Sequence, residues 1–350
     1  MQTLVRAAVC GAVAWGAGQI AAAQTPETAA PVSRTTAAVP AVEAPASDVL
    51  GWLQRMNTAA RQRAYAGTFV VSVPGGNLSS AKIWHACEGN VQMERVEALS
   101  GPPRSIFRRN HEIVTFLPDL RIVRRGTRQD TDFFHNLPNA PDSSIAEHYG
   151  VQFVGRSRVA GFEADVVQLI PRDGLRFGYR VWSERNSGML MKRQTLDTEG
   201  RVVEQAAFSE LQLDTPIKMR TLMQMMRSVE GYRIEESQLA RTSAQAQGWT
   251  LTSPVAGFKP VGSYLQSIGG EAAQQSTMQW IFSDGLASVS LFVEPYDARR
   301  TSDETLFAFG STNTLTRRIS SKDGDWWLSA VGEVPPQTLQ AFAQRLVRTH

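Results

Sequence analysis

The sequence predicts an α+β protein, mainly antiparallel β, in two folded units: a large curved sheet or open barrel, then a smaller α+β domain. Three observations predict this. Short apolar runs, many alternating with polar residues, recur between Thr68 and Glu210, most of them separated by Gly, Pro, Asn or Asp. One clear helical stripe precedes them, and a second closes the chain. Many short strands with so few helices indicate a curved or closing antiparallel sheet rather than βαβ units. The 350-residue length, at about 150 residues per domain, agrees with two domains.

The first residues read as an address. Arg6 precedes the uncharged, Ala-, Val- and Gly-rich stretch Ala7 to Ala23, which ends Ala21-Ala22-Ala23 before Gln24. That is the pattern of a secretory signal peptide over 1–23. The stretch is too weakly apolar for a stable membrane anchor. Only Ala7-Ala8-Val9 stands directly before Cys10, so a lipoprotein signal lacks its apolar run. Residues 24–47, rich in Ala, Pro, Thr and Val, predict a flexible extended spacer.

Asp48 is placed to cap a helix whose apolar residues Val49, Trp52, Leu53 and Met56 share one face. The period then changes to two. Strands are expected over Thr68–Val73 and Ser80–Ala86, joined by a Gly75-Gly76-Asn77 turn, and over 91–98, 105–116, 121–125, 151–159, 164–170, 175–183, 189–197 and 201–210. These make a first domain over 48–214. Residues 215–244 break the rhythm with Pro216 and the run Met219, Met223, Met225 and Met226, and are expected to connect the units. The Met run suits a helix packed between two domains, the alternative being an exposed, adaptable binding surface. A second domain over 245–350 has strands at 287–294, 314–321 and 326–332, with Asp323-Gly324 as a hairpin turn. Its final helix opens at Pro335-Pro336 and carries Leu339, Phe342, Ala343, Leu346 and Val347 as an apolar stripe.

Composition excludes several classes. Lys and Arg number 36 against 33 acidic residues, which is no nucleic-acid signature. The two cysteines, Cys10 and Cys87, rule out a disulfide framework and a four-thiolate zinc site. Loss of the signal leaves Cys87 alone. An odd thiol in an exported protein permits pairing into a homodimer; the plainer use is a small buried apolar residue. No His-Glu-x-x-His, Gly-x-Ser-x-Gly, Walker or dinucleotide motif occurs. His85 and Cys87 share one face of a strand, but two residues make neither a metal site nor a thiol–base machine. The sequence therefore predicts no enzyme, no metal and no cofactor.

Two other features stand out. Seven arginines, Arg104, Arg108, Arg109, Arg121, Arg124, Arg125 and Arg128, face only Glu112 and Asp119 within 104–128. Guanidinium forks hold phosphates and carboxylates. In an exported protein these belong to lipid headgroups, lipopolysaccharide or acidic partner segments; the alternative is a scattered, solvated strand surface. The second is an aromatic excess that includes Phe69, Trp84, Phe116, Phe177, Tyr179 and Trp182. A half-open sheet leaves an apolar lipid pocket, whereas a filled one uses the same residues as core.

Particular words resemble the RseB/MucB family, regulators of sigma-E/AlgU-type sigma factors. They are Trp84-His85 with Met93-Glu94-Arg95, Gly101-Pro102-Pro103-Arg104, and Phe177-Gly178-Tyr179-Arg180-Val181-Trp182. The run Ser283 to Pro295 and Val331-Gly332-Glu333-Val334-Pro335-Pro336-Gln337-Thr338 belong with them. The resemblance runs from about Val49 to Arg348; the departures are the long Ala/Pro spacer and Gly310-Ser311-Thr312 in place of Gly-Ala-Thr.

The resemblance implies a periplasmic negative regulator. It implies binding to the periplasmic region of a RseA/MucA-type membrane-spanning anti-sigma factor, shielding it from a DegS-type protease. It implies a large domain like the half-open barrel of LolA and LolB with helices across its mouth, a smaller domain that also contacts the anti-sigma factor, and release on sensing lipid or lipopolysaccharide. A periplasmic lipid or lipoprotein carrier is the alternative, and an exported hydrolase a third class that no motif supports. On the sequence alone, replacing Arg124 and Arg125 with Glu is expected to weaken binding to lipopolysaccharide fragments or to the anti-sigma segment in a direct titration.

Overall fold

The computed structural model describes residues 42–43, 46–76, 78–127, 145–236, 238–267, 276–298 and 304–349, with backbone alone at 42–43, 46–49, 238, 267 and 276. The expected signal peptide, most of the spacer, Arg128 and His350 lie outside them. Within the spacer, Val42–Glu43 forms a short strand, β1, and helix α1 runs Ala46–Gln62, opening two residues before the expected cap.

Strands β2 (Tyr65–Ser72), β3 (Leu78–Glu88), β4 (Val91–Ala98), β5 (Ser105–Arg109), β6 (Glu112–Leu117) and β7 (Ile122–Thr127) form an antiparallel meander. After a short helix α2 (Ile145–His148) come β8 (Tyr149–Val159), β9 (Phe162–Pro171), β10 (Gly178–Glu184), β11 (Leu190–Leu196) and β12 (Val202–Leu213). Strand β12 pairs with β2, so the two meanders join into one 13-stranded sheet with β1 at one edge and β13 (Arg233–Glu236) at the other. The sheet is open, and bulges at Phe153/Gly155, Trp182/Ser183, Thr195/Leu196 and Phe208/Glu210 mark four of its pairings. Bulges of this kind bend a strand and increase its twist, the means by which a sheet curves. The predicted class, mainly antiparallel β with few helices in a large and a small unit, is the class observed.

The small unit is a seven-stranded sheet ordered β14 (Gln238–Thr242), β16 (Lys259–Ser267), β17 (Ser276–Ser283), β18 (Ser288–Pro295), β21 (Gly324–Gly332), β20 (Thr312–Ser321) and β19 (Thr305–Phe309). Helix α4 (Pro336–Arg345) lies on it and buries Leu339 and Phe342 among Phe258, Phe282, Leu291 and Leu328. The helical stripe was expected to continue through Leu346 and Val347. Instead the chain leaves the helix there and pairs as β22 (Leu346–Arg348) with β15 (Trp249–Leu251). The open edge beside Trp249 offers backbone partners that a further helical turn does not.

Three other expectations need correction. Residues 105–116 are two strands, because Asn110 turns the chain with φ 50°, a conformation Asn tolerates better than most residues. Strands β16, β17 and β19 escaped pattern reading; Pro260 and Gly262 blur β16, whose register shifts between them. The Met-rich helix α3 (Met219–Arg227) does not pack between the units. It buries Met219, Leu222 and Met226 against Ala86, Met93, Phe107, Val114, Phe116 and Val123 of the large sheet. Nine residues are too few for a helix to stand alone, since isolated helices under about 12–15 residues are marginal in water. Burial of these three side chains, roughly 1.5–3 kcal/mol each, holds it in place. Beyond α3, β13 pairs parallel with β7, so residues 215–244 carry structure belonging to both sheets.

The two units interlock. Arg176 and Asp284 both have no exposed side-chain surface and meet at 2.6 Å (Nε to Oδ2). Arg176 also pairs with Asp173, donates to the Ala256 carbonyl at 2.9 Å and lies over the Phe258 ring at 4.8 Å. The second guanidinium nitrogen sits where a Cβ at residue 257 would be, and Gly257, at φ +77°, leaves the room. Asp284 accepts in addition from the Tyr149 hydroxyl at 3.1 Å and from the Leu286 and Ala287 amides at 2.8 and 2.7 Å. Leu286 inserts into the large unit's core, while Leu175 packs against the small unit's core. Around this centre Thr338 donates to the Leu175 carbonyl at 2.7 Å and Gln337 to that of Gly174. Arg193 bridges Glu204 and Glu333, and Ser311 donates to Glu204 through both its amide and its hydroxyl.

Removing one member of a buried pair leaves the other charge unsatisfied, which costs about 3–5 kcal/mol. Arg176→Met is therefore expected to lower unfolding stability by about that amount in urea titration. The double variant Arg176→Met/Asp284→Asn should recover part of the loss. Wild-type stability of the single variant would mean the pair does not hold the units together.

Candidate functional site

Strand alternation decides what the basic run does. Adjacent residues of a strand point to opposite faces, so the doublets Arg108-Arg109 and Arg124-Arg125 split. Arg108 turns to one face, where it is 9% exposed and pairs with Glu94 at 2.6 Å. Arg124 shares that face and pairs with Glu235 of β13 at 2.9 Å. Both pair with carboxylates of this chain, Arg108 while buried and Arg124 with its side chain 42% exposed. Arg104 is half-buried before β5 and its carbonyl accepts from Ala98. Arg121 is exposed, closes a one-turn 3-10 segment in the left-handed region, and offers its carbonyl to the Arg233 amide.

Arg109 and Arg125 turn to the other face, under α3. There they line a cleft of about 290 Å³ with Glu112, Val114, Met223, Met226 and Arg227. Val114 lies opposite both Phe107 and Arg125 in the sheet, and Arg109 opposite Glu112 and Met93. Three arginines and one glutamate thus line the cleft together with Val114 and two methionines. Thioethers are flexible and polarizable and adapt to the shape of what they touch. Ligand pockets run about 300–1,000 Å³, so the cleft lies at the low end of that range. Of these lining residues, the sequence singles out Arg109 and Arg125 as anion candidates and the methionines as an alternative adaptable surface, but not Arg227. The i, i+3, i+4 spacing of Met223, Met226 and Arg227 carried the signal, but it was attributed to the interdomain connection.

The six aromatics proposed for a lipid pocket do not come together. Phe69 and Trp182 sit in one core with Met191 and Phe208. Tyr179 sits in a second with Leu53, Met56 and Val181. Phe116 and Trp84 belong to a third, under α3. Phe177 is buried at 4% exposure beside the seam residue Arg176. Their first use is packing. Trp84 is the exception, half-buried and flanked by the Lys82 ammonium at 5.3 Å and the Arg95 guanidinium at 4.9 Å from its ring.

His85 and Cys87 give neither a metal site nor a nucleophile. Among the described residues no group of three His, Cys, Asp or Glu side chains is placed to hold a metal ion. Burial pushes the free, half-buried Cys87 thiol up, opposite to what a reactive thiolate needs. His85 is buried, stacks on Tyr65 at 4.9 Å and has Nδ1 2.8 Å from the Arg63 carbonyl. Among the described residues no helix is long and apolar enough to cross a membrane.

The class these features define is a two-sheet, mainly antiparallel β protein with a cleft on its larger sheet lined by arginines and methionines. Comparison with known proteins narrows the class. Residues 48–226 match the MucB/RseB N-terminal domain and residues 243–347 the MucB/RseB C-terminal domain. The chain belongs to the MucB/RseB family. It is 28% identical over 314 residues to the sigma factor AlgU regulatory protein MucB of Pseudomonas aeruginosa, covering 87% of this chain and 92% of that one. It is 27% identical over 305 residues to the sigma-E factor regulatory protein RseB of Escherichia coli K12, covering 86% and 91%. Among solved structures, MucB in complex with MucA(peri) matches with a TM-score of 0.65 at 26% identity, over 87% of this chain and all of that one.

Burial holds the His85 imidazole below its usual 6.5, although Glu94 and the Arg63 carbonyl pull the other way. The unfolded chain therefore binds the proton more readily, and the folded state loses stability as the pH falls below 6.5. His85→Gln should flatten the fall in melting temperature between pH 6.5 and 5. An unchanged slope would show that other groups set it.

Proposed function

We propose that this protein is a periplasmic regulator that binds the periplasmic region of a membrane-spanning anti-sigma factor, shields it from regulated proteolysis, and lets go when an anionic lipid or lipopolysaccharide fragment occupies the α3 cleft. Family membership across both units supports the partner, since the matched relatives carry sigma factor regulatory names and one is solved with MucA(peri). The observation that carries the sensing step is the cleft, which brings three arginines together with Val114 and two methionines. A phosphate needs the first and an acyl chain the second.

The two binding events are linked. If the lipid-bound form holds the anti-sigma factor more weakly, the anti-sigma factor weakens lipid binding by the same factor. A coupling of about 1–3 kcal/mol corresponds to roughly 5- to 150-fold. The seam gives the large unit a way to act on the small one, because Arg193 and Glu204 of the large sheet bind Glu333 and Ser311 of the small unit.

The structure also changes which substitutions test this. Arg124 already serves Glu235, so the informative positions are Arg109 and Arg125. The Arg109→Glu/Arg125→Glu variant is expected to bind lipid A phosphates at least about tenfold more weakly by calorimetry. It should still bind the anti-sigma periplasmic region, and that complex should no longer be dissociated by lipid. Lipid binding at wild-type strength would remove the cleft from the mechanism. Lipid moved between donor and acceptor vesicles at catalytic protein levels would favour a carrier.

A further inference from the structure

Among the described residues, each of the two large sheets ends in strands that pair on one side only. Such edges invite pairing with other chains unless charge, proline or a bulge blunts them. The large sheet's β13 is guarded by Arg233, Glu235 and Glu236, and the small sheet's β14 by Arg241. The other end of the small sheet is different. Strand β19 reads Thr305-Leu306-Phe307-Ala308-Phe309, with no charge, no proline and no register shift against β20. All five residues are exposed, including Leu306 at 45%, Phe307 at 60% and Phe309 at 36%. By alternation Leu306 and Ala308 lie on one face and Phe307 and Phe309 on the other. Apolar surface therefore flanks the edge on both sides.

The edge abuts the seam. Gly310, at φ +59°, follows it directly, and a Cβ there would lie 2.7 Å from both Glu204 Oε2 and Val73 Cγ1 of the large unit. Ser311, next in line, donates to Glu204 at 3.0 Å. The β19 edge therefore ends at the contact between the units, beside Val73, which follows β2. Five residues extend about 17 Å, and with a sheet depth of about 10 Å they present on the order of 200 Å², far short of the roughly 800 Å² per partner of a stable interface between folded proteins. A second folded copy gains too little there. A flexible, extended segment gains main-chain hydrogen bonds together with side-chain contacts on both faces of the pleat.

We propose that β19 is a strand-addition site for an extended polypeptide segment with apolar residues at neighbouring positions. Resting on the function proposed above, we take that segment to come from the periplasmic region of the anti-sigma factor. The full chain and that periplasmic region are the reagents. Amide hydrogen exchange across Thr305–Phe309 should slow by at least about tenfold in the complex. Phe307→Lys, which changes an exposed side chain and no backbone donor, should weaken the complex at least about tenfold and leave the melting temperature unchanged.

A complex that forms while these amides exchange as in the free protein, and that tolerates Phe307→Lys, overturns the site and leaves the regulatory reading standing. Absence of any complex overturns the regulatory reading, and with it this occupant. A wild-type dimer in sedimentation that Phe307→Lys converts to monomer overturns the proposal in favour of a second copy.

Discussion

Two carboxylate oxygens of Asp284, buried at the junction of two sheets, receive a guanidinium, a phenol and two backbone amides. Everything else at the junction is arranged around that concentration of charge. A buried ion is tolerable only when its lone pairs and protons are all used, and here both partners are supplied with additional hydrogen bonds. Arg176 reaches Asp173, the Ala256 carbonyl and the Phe258 ring because residue 257 is a glycine in the left-handed region. Leu286 and Leu175 then fill each other's units. The seam is thus a shared piece of core, unlike the loosely joined domains that relative motion requires.

The cleft depends on a simpler rule. A strand sends successive side chains to opposite faces, so each Arg-Arg doublet supplies one guanidinium to the chain's own ion pairs and one to the cleft. Arg108 and Arg124 neutralise Glu94 and Glu235 and stabilise the sheet. Arg109 and Arg125, beside Glu112, come to lie under a helix that adds Arg227 and two thioethers. The same local sequence therefore supplies the sheet's ion pairs and the lining of the cleft at once.

This explains what could be read from the sequence and what could not. Strands such as β4 and β9 announce themselves through period two and turn residues, and α4 through its proline start and apolar stripe. Local patterns carry that information. Which face of the sheet an arginine takes, and whether Glu94 or solvent meets it, depends on pairing partners far away in the chain. The aromatics are ambiguous for the same reason: Phe69, Phe116 and Tyr179 look alike in sequence yet occupy three separate cores. Two of the words that carried the family resemblance contribute to the seam, with Asp284, Leu286, Glu333, Gln337 and Thr338 among them. Nothing in periodicity marked them as interfacial.

The crossing from one sheet to the other is tied to the cleft. Strand β13 lies parallel to β7 with Glu235 clasped by Arg124, and β14 of the other sheet begins two residues after β13 ends. Strand β7 also carries Arg125 of the cleft, opposite Glu236 in register. One strand thus lines the cleft and anchors the last strand before the crossing, so the two places share a single piece of backbone.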